Sequence, residues 1–246
     1  MASGIWAAAS GAVSQVAHLD NASNNLANLD TPGFRADRMV FRNVLRSELS
    51  GSAVHPSLEH NVIRSVSHDM RAGRIVPTGR SLDVALPEAN QFFAVGADAG
   101  VRFTRAGSLH VQPNGLVTGP SGIPYLGQGG QPLIVPAGAG EVGVSRNGDL
   151  LIDGQPDGQR LMVVKFANFE ALEKEGNVLF RAPARAGAAE VIDEFALETQ
   201  ALEKSTDQAF LHMSSVVEAS RNFNMLTEVI QAFKSVEERA ARDIVG

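Results

Sequence analysis

The sequence predicts an α+β protein in which long N- and C-terminal helices form a coiled-coil-like layer and the central residues form an antiparallel β domain. Three observations lead to this fold class. The last forty residues carry apolar side chains at helical spacing, and the first thirty carry a similar stripe. The residues between them are short apolar runs separated by turn residues, which is typical of β structure.

The C-terminal helix is predicted from Asp207 to Ile244. Its apolar residues mostly recur every three or four positions, which is the period of an amphipathic helix. No Gly or Pro interrupts the stretch, so one continuous helix of roughly 50 Å is expected at about 1.5 Å per residue. The stripe consists of Phe210, Met213, Val217, Phe223, Leu226, Ile230, Phe233, Val236, Ala240 and Ile244.

The N-terminal helix is predicted over residues 3–29. Its many small residues would let a partner helix approach closely, and the turn residues around Pro32 end it, because proline cannot continue a helix. Asn21, Asn25 and Asn28 recur about one turn apart, which fits either a solvent-facing row or hydrogen bonds between helices. The apolar stripe consists of Ile5, Ala9, Ala12, Val16, Leu19 and Leu26.

The segment 34–80 is predicted to be a connector, partly helical and partly extended. Residues 34–49 favour a brief continuation of helix, whereas residues 51–74 are polar and weakly patterned. We therefore expect four regions: the N-terminal helix within 1–33, the connector 34–80, a β-rich domain 81–200 and the C-terminal helix within 201–246.

The β domain is predicted from its turns as much as from its strands. Asn114-Gly115 and Asn147-Gly148 each separate two short runs of strand-forming residues. Asn-Gly is the dipeptide that two-residue hairpin turns favour, because both positions adopt positive φ there. We therefore predict two hairpins within an antiparallel sheet region that extends from Ser81 to about Glu198.

Composition excludes several classes of protein. The net charge of −6 predicts no nucleic-acid partner, and the absence of cysteine excludes disulfides and thiolate chemistry. No run of eighteen apolar residues is present, so no direct membrane insertion is expected. The charge is uneven, with eight arginines between Phe34 and Arg80. This asymmetry fits either two ordinary solvated surfaces or a basic segment of one copy that faces an acidic segment of another.

Candidate catalytic and ligand motifs are weak. The glycines of 138–143 match a dinucleotide-binding string, but a strand and a hairpin turn follow where that site requires a helix. His55, His60 and His68 lack the helical spacing of a zinc site, so an irregular polar segment is favoured over a metal-dependent hydrolase. We expect no catalytic residues, no cofactor and no bound metal.

Several short motifs follow one another along the whole chain. Near the N-terminus, Asn24-Asn25-Leu26-Ala27-Asn28 is followed by Thr31-Pro32-Gly33-Phe34. The central motifs are Thr78-Gly79, Leu82-Asp83-Val84-Ala85, Phe92-Phe93, Phe103-Thr104-Arg105, Gly107-Ser108 and Gly115-Leu116-Val117-Thr118. The C-terminal motifs are Ala201-Leu202-Glu203, Ser205, Arg221, Phe223 and Val229-Ile230. In this order, the motifs resemble those of bacterial flagellar rod and hook proteins.

Within that family, the length and the lack of a long central insertion resemble the proximal-rod type. Asn224 and Thr206-Asp207 depart from the usual pattern and leave the rod position open, with a distal-rod or hook-family subunit as the alternative. The resemblance implies an axial protein that stacks helically with copies of itself and with neighbouring rod proteins. The terminal helices would form the inner tube, and the rod would transmit motor torque to the hook.

The resemblance also implies export through the flagellar type III apparatus, without a cleaved signal, to the periplasmic rod of the basal body. Phe41 and Leu45 resemble a short hydrophobic export element, although a helix-packing pair explains the same spacing. A different alternative is a β-domain binding module that its terminal helices only dimerise.

The residues expected to contact other subunits come from the two helical stripes and the terminal motifs. They are Ile5, Ala9, Ala12, Val16, Leu19, Asn24, Asn25, Leu26, Asn28, Phe34, Met213, Val217, Arg221, Phe223, Leu226, Ile230, Phe233 and Val236.

Overall fold

The computed structural model describes residues 2–44, 60–98, 100–206 and 209–245. The chain divides into two compact units. Unit 1 comprises Met1–Ala27, Asp37–Ser67 and Gln208–Gly246, and unit 2 comprises Asn28–Ala36 and His68–Asp207. Two long helices and a central antiparallel β region confirm the predicted α+β class.

Unit 1 contains the helices α1 (Ala2–Ala27) and α2 (Ala209–Val245) and a two-stranded sheet of β1 (Asp37–Val44) and β2 (His60–His68). Both terminal helices are confirmed to within a few residues. The helical continuation expected over 34–49 is wrong for residues 37–44, because pairing with β2 gives them strand geometry. Leu45 and His55 lie outside the described residues.

The strands of unit 2 are short and numerous. They are β3 (Ile75–Pro77), β4 (Val84–Ala85), β5 (Gln91–Ala97), β6 (Gly100–Thr104), β7 (His110–Val111), β8 (Val117–Thr118), β9 (Val142–Val144), β10 (Asp149–Ile152), β11 (Gln155–Arg160), β12 (Val163–Lys165), β13 (Glu173–Glu175), β14 (Leu179–Arg181), β15 (Glu190–Val191), β16 (Glu198–Thr199) and β17 (Ala201–Glu203). Short 3₁₀ helices occur at Phe169–Ala171 and Ala184–Ala186.

The largest sheet of unit 2 has six antiparallel strands in the order β13-β14-β6-β5-β12-β15. Alternate residues of its central strands enter two different cores. Phe93 and Val163 pack in one apolar cluster, whereas Phe92 and Val164 pack in the other. Burial of both faces explains why this sequence is a continuous apolar run instead of an alternating one.

Both predicted hairpins are confirmed. β7 pairs antiparallel with β8 across Asn114-Gly115, and β9 pairs antiparallel with β10 across Asn147-Gly148. Gly138–Gly143 leads into strand β9, as the sequence indicated, and no helix begins there.

The C-terminal region differs from its prediction in one respect. Residues 201–203 form β17, which pairs antiparallel with β3, whereas the expected division of the chain grouped them with the C-terminal helix. The helix begins only at Ala209, after the chain has completed unit 2. The segment 201–206 therefore belongs to the β structure.

Candidate functional site

The two helices of unit 1 are antiparallel and pack through the small residues of α1. A Cβ atom built on Gly4 would lie 3.0 Å from the ring of Phe233, and one built on Gly11 would lie 3.3 Å from Leu226. Large side chains of α2 therefore rest directly on the backbone of α1. This confirms the expectation that the small residues of the N-terminal helix admit a close partner.

The contact face of α1 is rotated from its predicted stripe. At about 100° per residue, Gly4, Gly11 and Ala22 share one side of the helix, and the stripe of Ile5 to Leu26 lies roughly a quarter-turn away. Ala22 is buried, whereas Val16 is exposed. The apolar pattern predicted a helix correctly, but the partner uses the small residues next to that pattern.

The predicted stripe of α2 divides into two faces. Leu226 and Phe233 contact α1, and the half-buried Phe223 and Ile230 lie on the same side. Met213, Val217 and Val236 are exposed, as is Arg221. The step of six residues from Val217 to Phe223 breaks the helical period and moves the second group about 120° around the helix.

The exposed face of α2 is a shallow groove along a single helix. Phe210 is 78% exposed and Met213 is 55% exposed, and Val217 and Met225 continue the same apolar surface. At about 100° per residue this face lies nearly opposite the face that contacts α1. A side chain exposed on the side away from its own partner helix is free to meet another molecule.

The side of α1 that faces away from α2 is also apolar and exposed. Trp6 is 69% exposed and Val13 is 68% exposed, and Val16 lies near them. Trp6 and Val13 are one heptad apart and lie opposite the small residues that contact α2. The sequence reasoning missed both residues, although a lone tryptophan at heptad spacing from a valine was a signal that could have found them.

Asn25 has a specific structural role in unit 1. Its side-chain Nδ2 donates to the backbone oxygen of Asp37 at 2.9 Å, and its Oδ1 accepts from the Asp37 backbone N–H at 3.0 Å. Its Nδ2 also lies 3.4 Å from Oδ1 of Asn21. Asn25 is buried, whereas Asn24 is exposed. This pair of hydrogen bonds fixes the first residue of β1 against α1. From the sequence we expected either a solvent-facing row or hydrogen bonds between helices, and not a bond to a strand.

The rest of the N-terminal signature builds a turn in unit 2. The hydroxyl of Thr31 donates to Oδ1 of Asn28 at 3.1 Å, and Gly33 follows with a φ of +70°. A Cβ atom on Gly33 would lie 2.3 Å from a backbone nitrogen, so both the conformation and the space require glycine. Phe34 is fully buried, and Nζ of Lys174 lies 3.9 Å from the centre of its ring.

Asn28 and Phe34 are therefore buried within their own chain. The expected subunit contacts, including those of Asn28 and Phe34, stay a prediction at this point.

A buried charge cluster joins three of the recognised motifs within unit 2. Glu203 accepts from Nη2 of Arg35 at 2.6 Å and from Nε of Arg105 at 2.8 Å, and all three side chains are almost completely buried. The backbone N–H of Gly73 donates to the same carboxylate at 2.6 Å. We call Arg35, Arg105 and Glu203 the charge cluster. In sequence, Glu203 lies 98 residues from Arg105 and 168 residues from Arg35.

Arg105 also orders the loop that precedes β5. Its guanidinium donates to the backbone oxygens of Leu86 at 2.8 Å, Gln91 at 2.7 Å and Glu88. Burial lowers the pKa of Arg105 to about 10. The attraction of Glu203 opposes this shift, and the nearby charge of Arg35 adds to it. The group therefore stays charged near neutral pH, and the cluster carries two cations and one anion.

The structure supplies no geometry for metal or membrane chemistry in the part of the chain that it describes. No three His, Asp or Glu side chains there are grouped so that they could hold a metal ion. No described helix is long and apolar enough to cross a membrane. The side chain of His60 is not among those described, so the histidine alternative stays untested beyond this.

Comparison with known proteins assigns the fold to a family. Residues 5–35 match the family described as flagella basal body rod protein. The flagellar basal-body rod protein FlgF of Escherichia coli (strain K12) is 32% identical over 232 residues, which cover 89% of this chain and 88% of the relative.

Two further relatives cover most of the chain. FlgG of Bacillus subtilis (strain 168) is 27% identical, with 86% of this chain and 88% of the relative covered. FlgF of Rhizobium meliloti (strain 1021) is 24% identical, with 100% of this chain and 99% of the relative covered.

The fold combines a helix pair that has exposed apolar faces with a β-rich unit, and the comparisons supply the class of protein. The chain belongs to the family of flagellar basal-body rod proteins. It is accordingly a structural component of the flagellar basal body that assembles with other basal-body subunits, and it is not an enzyme.

Proposed function

We propose that this chain is a subunit of the proximal rod that assembles helically with copies of itself and with neighbouring rod proteins, and that the rod transmits motor torque to the hook. Assembly uses the exposed faces of α1 and α2, and the helices form the inner tube while the β-rich residues 81–200 face outward. The proposed subunit-contact residues are Ile5, Ala9, Ala12, Val16, Leu19, Asn24, Asn25, Leu26, Asn28, Phe34, Met213, Val217, Arg221, Phe223, Leu226, Ile230, Phe233 and Val236.

The observation that carries this proposal is the pair of exposed apolar faces on unit 1. Trp6 and Val13 lie on the side of α1 away from α2, and Phe210 and Met213 lie on the side of α2 away from α1. Two different faces on one body favour head-to-tail contacts between copies, and such contacts produce open helical assemblies when the rotation does not close. Burial of large apolar side chains supplies the free energy of association.

Differences in exposure support two roles within the α2 stripe. Phe223, Leu226, Ile230 and Phe233 stabilise the helix pair inside one chain, so their effect on assembly acts through the pair. Met213 and Val217 are exposed in the single chain, so they are available for a direct contact with another subunit. This distinction gives the proposal a sharp experiment.

The experiment compares Val217→Asp with Gln231→Asp in a strain whose only copy of this gene carries the change. Both positions are exposed on α2, both changes add one negative charge, and only Val217 lines the apolar groove. We expect Val217→Asp to abolish incorporation into basal bodies and swarming motility, because an unpaired charge would be buried at the contact. Gln231→Asp serves as the matched control.

The folded state of the variant is checked on the purified protein. Val217→Asp should leave the far-ultraviolet circular dichroism and the thermal midpoint nearly unchanged, because the side chain is exposed there. Ile230→Asp should lower the helical signal as well as incorporation, because this residue lies on the side of α2 that packs on α1. Normal motility in the Val217→Asp strain would contradict the proposed contact face.

A distal-rod position is the second candidate, supported by the FlgG relatives among the matches. The higher identity to the Escherichia coli FlgF protein supports the proximal assignment. An image reconstruction of the intact basal body, with this chain traced, distinguishes the two positions.

Export through the flagellar type III apparatus without a cleaved signal, to the periplasmic part of the rod, completes the proposal. Residues Phe41 and Leu45 are the candidate export element. Mass spectrometry of rod subunits from purified basal bodies checks for an intact N-terminus. Replacing both residues by alanine and measuring the secreted fraction tests the element, and unchanged secretion would remove it.

A further inference from the structure

Unit 1 carries two exposed apolar patches, one on each helix. We call Trp6 and Val13 the α1 patch, and we call Phe210, Met213 and Val217 the α2 patch. All of these side chains are at least half exposed. At about 100° per residue, each patch lies on the side of its helix that faces away from the partner helix, so the two patches cannot meet within one chain.

The two patches also lie at different levels along the helix pair. Gly4 of α1 lies against Phe233 of α2, which fixes the levels of the two antiparallel helices. By that pairing, Trp6 is level with Gln231. The α2 patch begins at Val217, about fourteen residues further towards the start of α2, which corresponds to roughly 21 Å at 1.5 Å per residue.

The spacing within the two patches is the same. Trp6 and Val13 are seven residues apart, and so are Phe210 and Val217. Positions seven apart share one face of a helix and lie roughly 10 Å apart along its axis. An α1 helix that lies antiparallel to α2 and places Trp6 on Val217 therefore also places its other patch residue on Phe210.

Arg221 borders the α2 patch and is available for a contact. It is exposed in the same groove, and it forms no hydrogen bond or ion pair with any other residue in the described ranges. It lies one turn from Val217, so it would border a docked Trp6, and an indole face is the best aromatic partner for a cation. Residues 2–19 of α1 contain no Asp, Glu, Lys or Arg, so docking of this segment buries none of those ions.

We propose that the α1 patch of one copy docks on the α2 patch of the next copy, with the two copies displaced by roughly 21 Å along the helices. This inference rests on the proposed rod assembly and specifies one contact within it. The contact covers both patches and leaves one patch free at each end of the assembly, so further copies can add. Two α2 patches that paired with each other would instead form a closed dimer and leave Trp6 exposed.

The first test uses disulfide cross-links in isolated basal bodies, because the chain contains no native cysteine. Ala9→Cys and Ser214→Cys place two thiols opposite each other in the displaced pairing. After mild oxidation, we expect a strain that carries both changes in one chain to give a ladder of linked dimers, trimers and longer products. Coexpression of the two single variants should give dimers only, because each chain then carries one thiol.

Ala9→Cys with Glu228→Cys is the matched control. Glu228 lines the same groove as Ser214, but it is level with Ala9 without any displacement of the copies. We expect this pair to give less than about a tenth of the linked product, because Cα atoms more than about 7 Å apart cannot be bridged. A ladder from the control pair, or dimers from either single variant alone, would overturn the displaced pairing.

The amount of the double variant in basal bodies separates this inference from the proposed function. Normal incorporation without any linked product would overturn the second copy as the occupant and leave the rod assembly standing. Absence of the unmodified chain from basal bodies would refute the rod assembly itself, and this inference with it.

A pair of charge changes tests the same contact without cross-linking. Val13→Asp should lower the amount of the chain in basal bodies about tenfold, because the charge would be buried without a partner. Addition of Phe210→Lys should raise that amount about threefold, because it supplies the opposite charge across the contact. Asn224→Lys, level with Val13 within one chain, is the control and should restore nothing. Rescue by Asn224→Lys, or by neither lysine, would overturn the pairing.

Discussion

Replacement of Glu203 by glutamine should destabilise unit 2 more than any conservative change at its surface. The carboxylate accepts from Arg35 at 2.6 Å, from Nε of Arg105 at 2.8 Å and from the Gly73 N–H at 2.6 Å, and Nη2 of Arg105 lies 2.7 Å from it. Glutamine keeps the shape but removes the charge and turns one acceptor into a donor. Two guanidinium groups then remain buried without a counterion.

The magnitude follows from the burial of this cluster. Breaking a buried ion pair by removing one partner costs about 3–5 kcal/mol, because the remaining charge is left uncompensated. For a unit of this size, about 2–4 °C of melting temperature is lost per kcal/mol, so a decrease of roughly 6–20 °C is expected. Urea unfolding followed by the near-ultraviolet signal of Tyr125, which lies in unit 2, measures the free energy.

Glu175→Gln is the matched control for this prediction. Glu175 also binds an arginine, with 2.6 Å between its Oε2 and Nε of Arg102, but its side chain is half-exposed. Solvent screening limits such a pair to less than about 1 kcal/mol. If the two variants were equally stable, the charge cluster would not hold the segments around Arg35, Arg105 and Glu203 together, and the reasoning from burial would be refuted.

Three further predictions concern single side chains. Asn25→Ala should speed hydrogen exchange at the Asp37 amide and cost about 1–2 kcal/mol, since two part-buried hydrogen bonds are lost; an unchanged exchange rate would contradict this. Gly33→Ala should lower the melting temperature of unit 2, whereas Gly79→Ala, with a similar φ but open space around it, should lower it much less; equal losses would show that the backbone conformation alone matters. Burial raises the pKa of Tyr125 above its usual value, so the folded state retains a proton that the unfolded state releases, and stability should fall as the pH rises above about 10. Tyr125→Phe should weaken that alkaline dependence in urea titrations, and an unaltered slope would assign it to other groups.

The arrangement of the β region was predictable where it depended on residues that are neighbours in the sequence. Asn114-Gly115 and Asn147-Gly148 predicted two hairpins because the preference of a tight turn for positive φ is a local property. Residues 37–44 were misread because their apolar spacing is compatible with either helix or strand. Pairing with β2, which begins sixteen residues after β1 ends, decides between them, and the residues of the segment itself do not contain that information.

The sequence by itself determined the existence of both helices, their approximate ends, the antiparallel β region and the family. These features depend on periodicity, on turn residues and on short motifs, all of which act over a few positions. Only the tertiary structure decided which face of each helix is buried. A stripe shows that a helix is amphipathic, but the small residues Gly4 and Gly11 let α2 approach on a different side and left Trp6 and Phe210 exposed.

The tertiary structure also decided why the separate motifs belong together. Arg35, Arg105 and Glu203 occur in or beside three motifs far apart in the chain, and each looks like an ordinary surface charge in its own context. Their cost of burial is offset only when the folded backbone brings opposite charges within hydrogen-bond distance. That condition is a property of three-dimensional contact, so no local pattern of residues could have contained it.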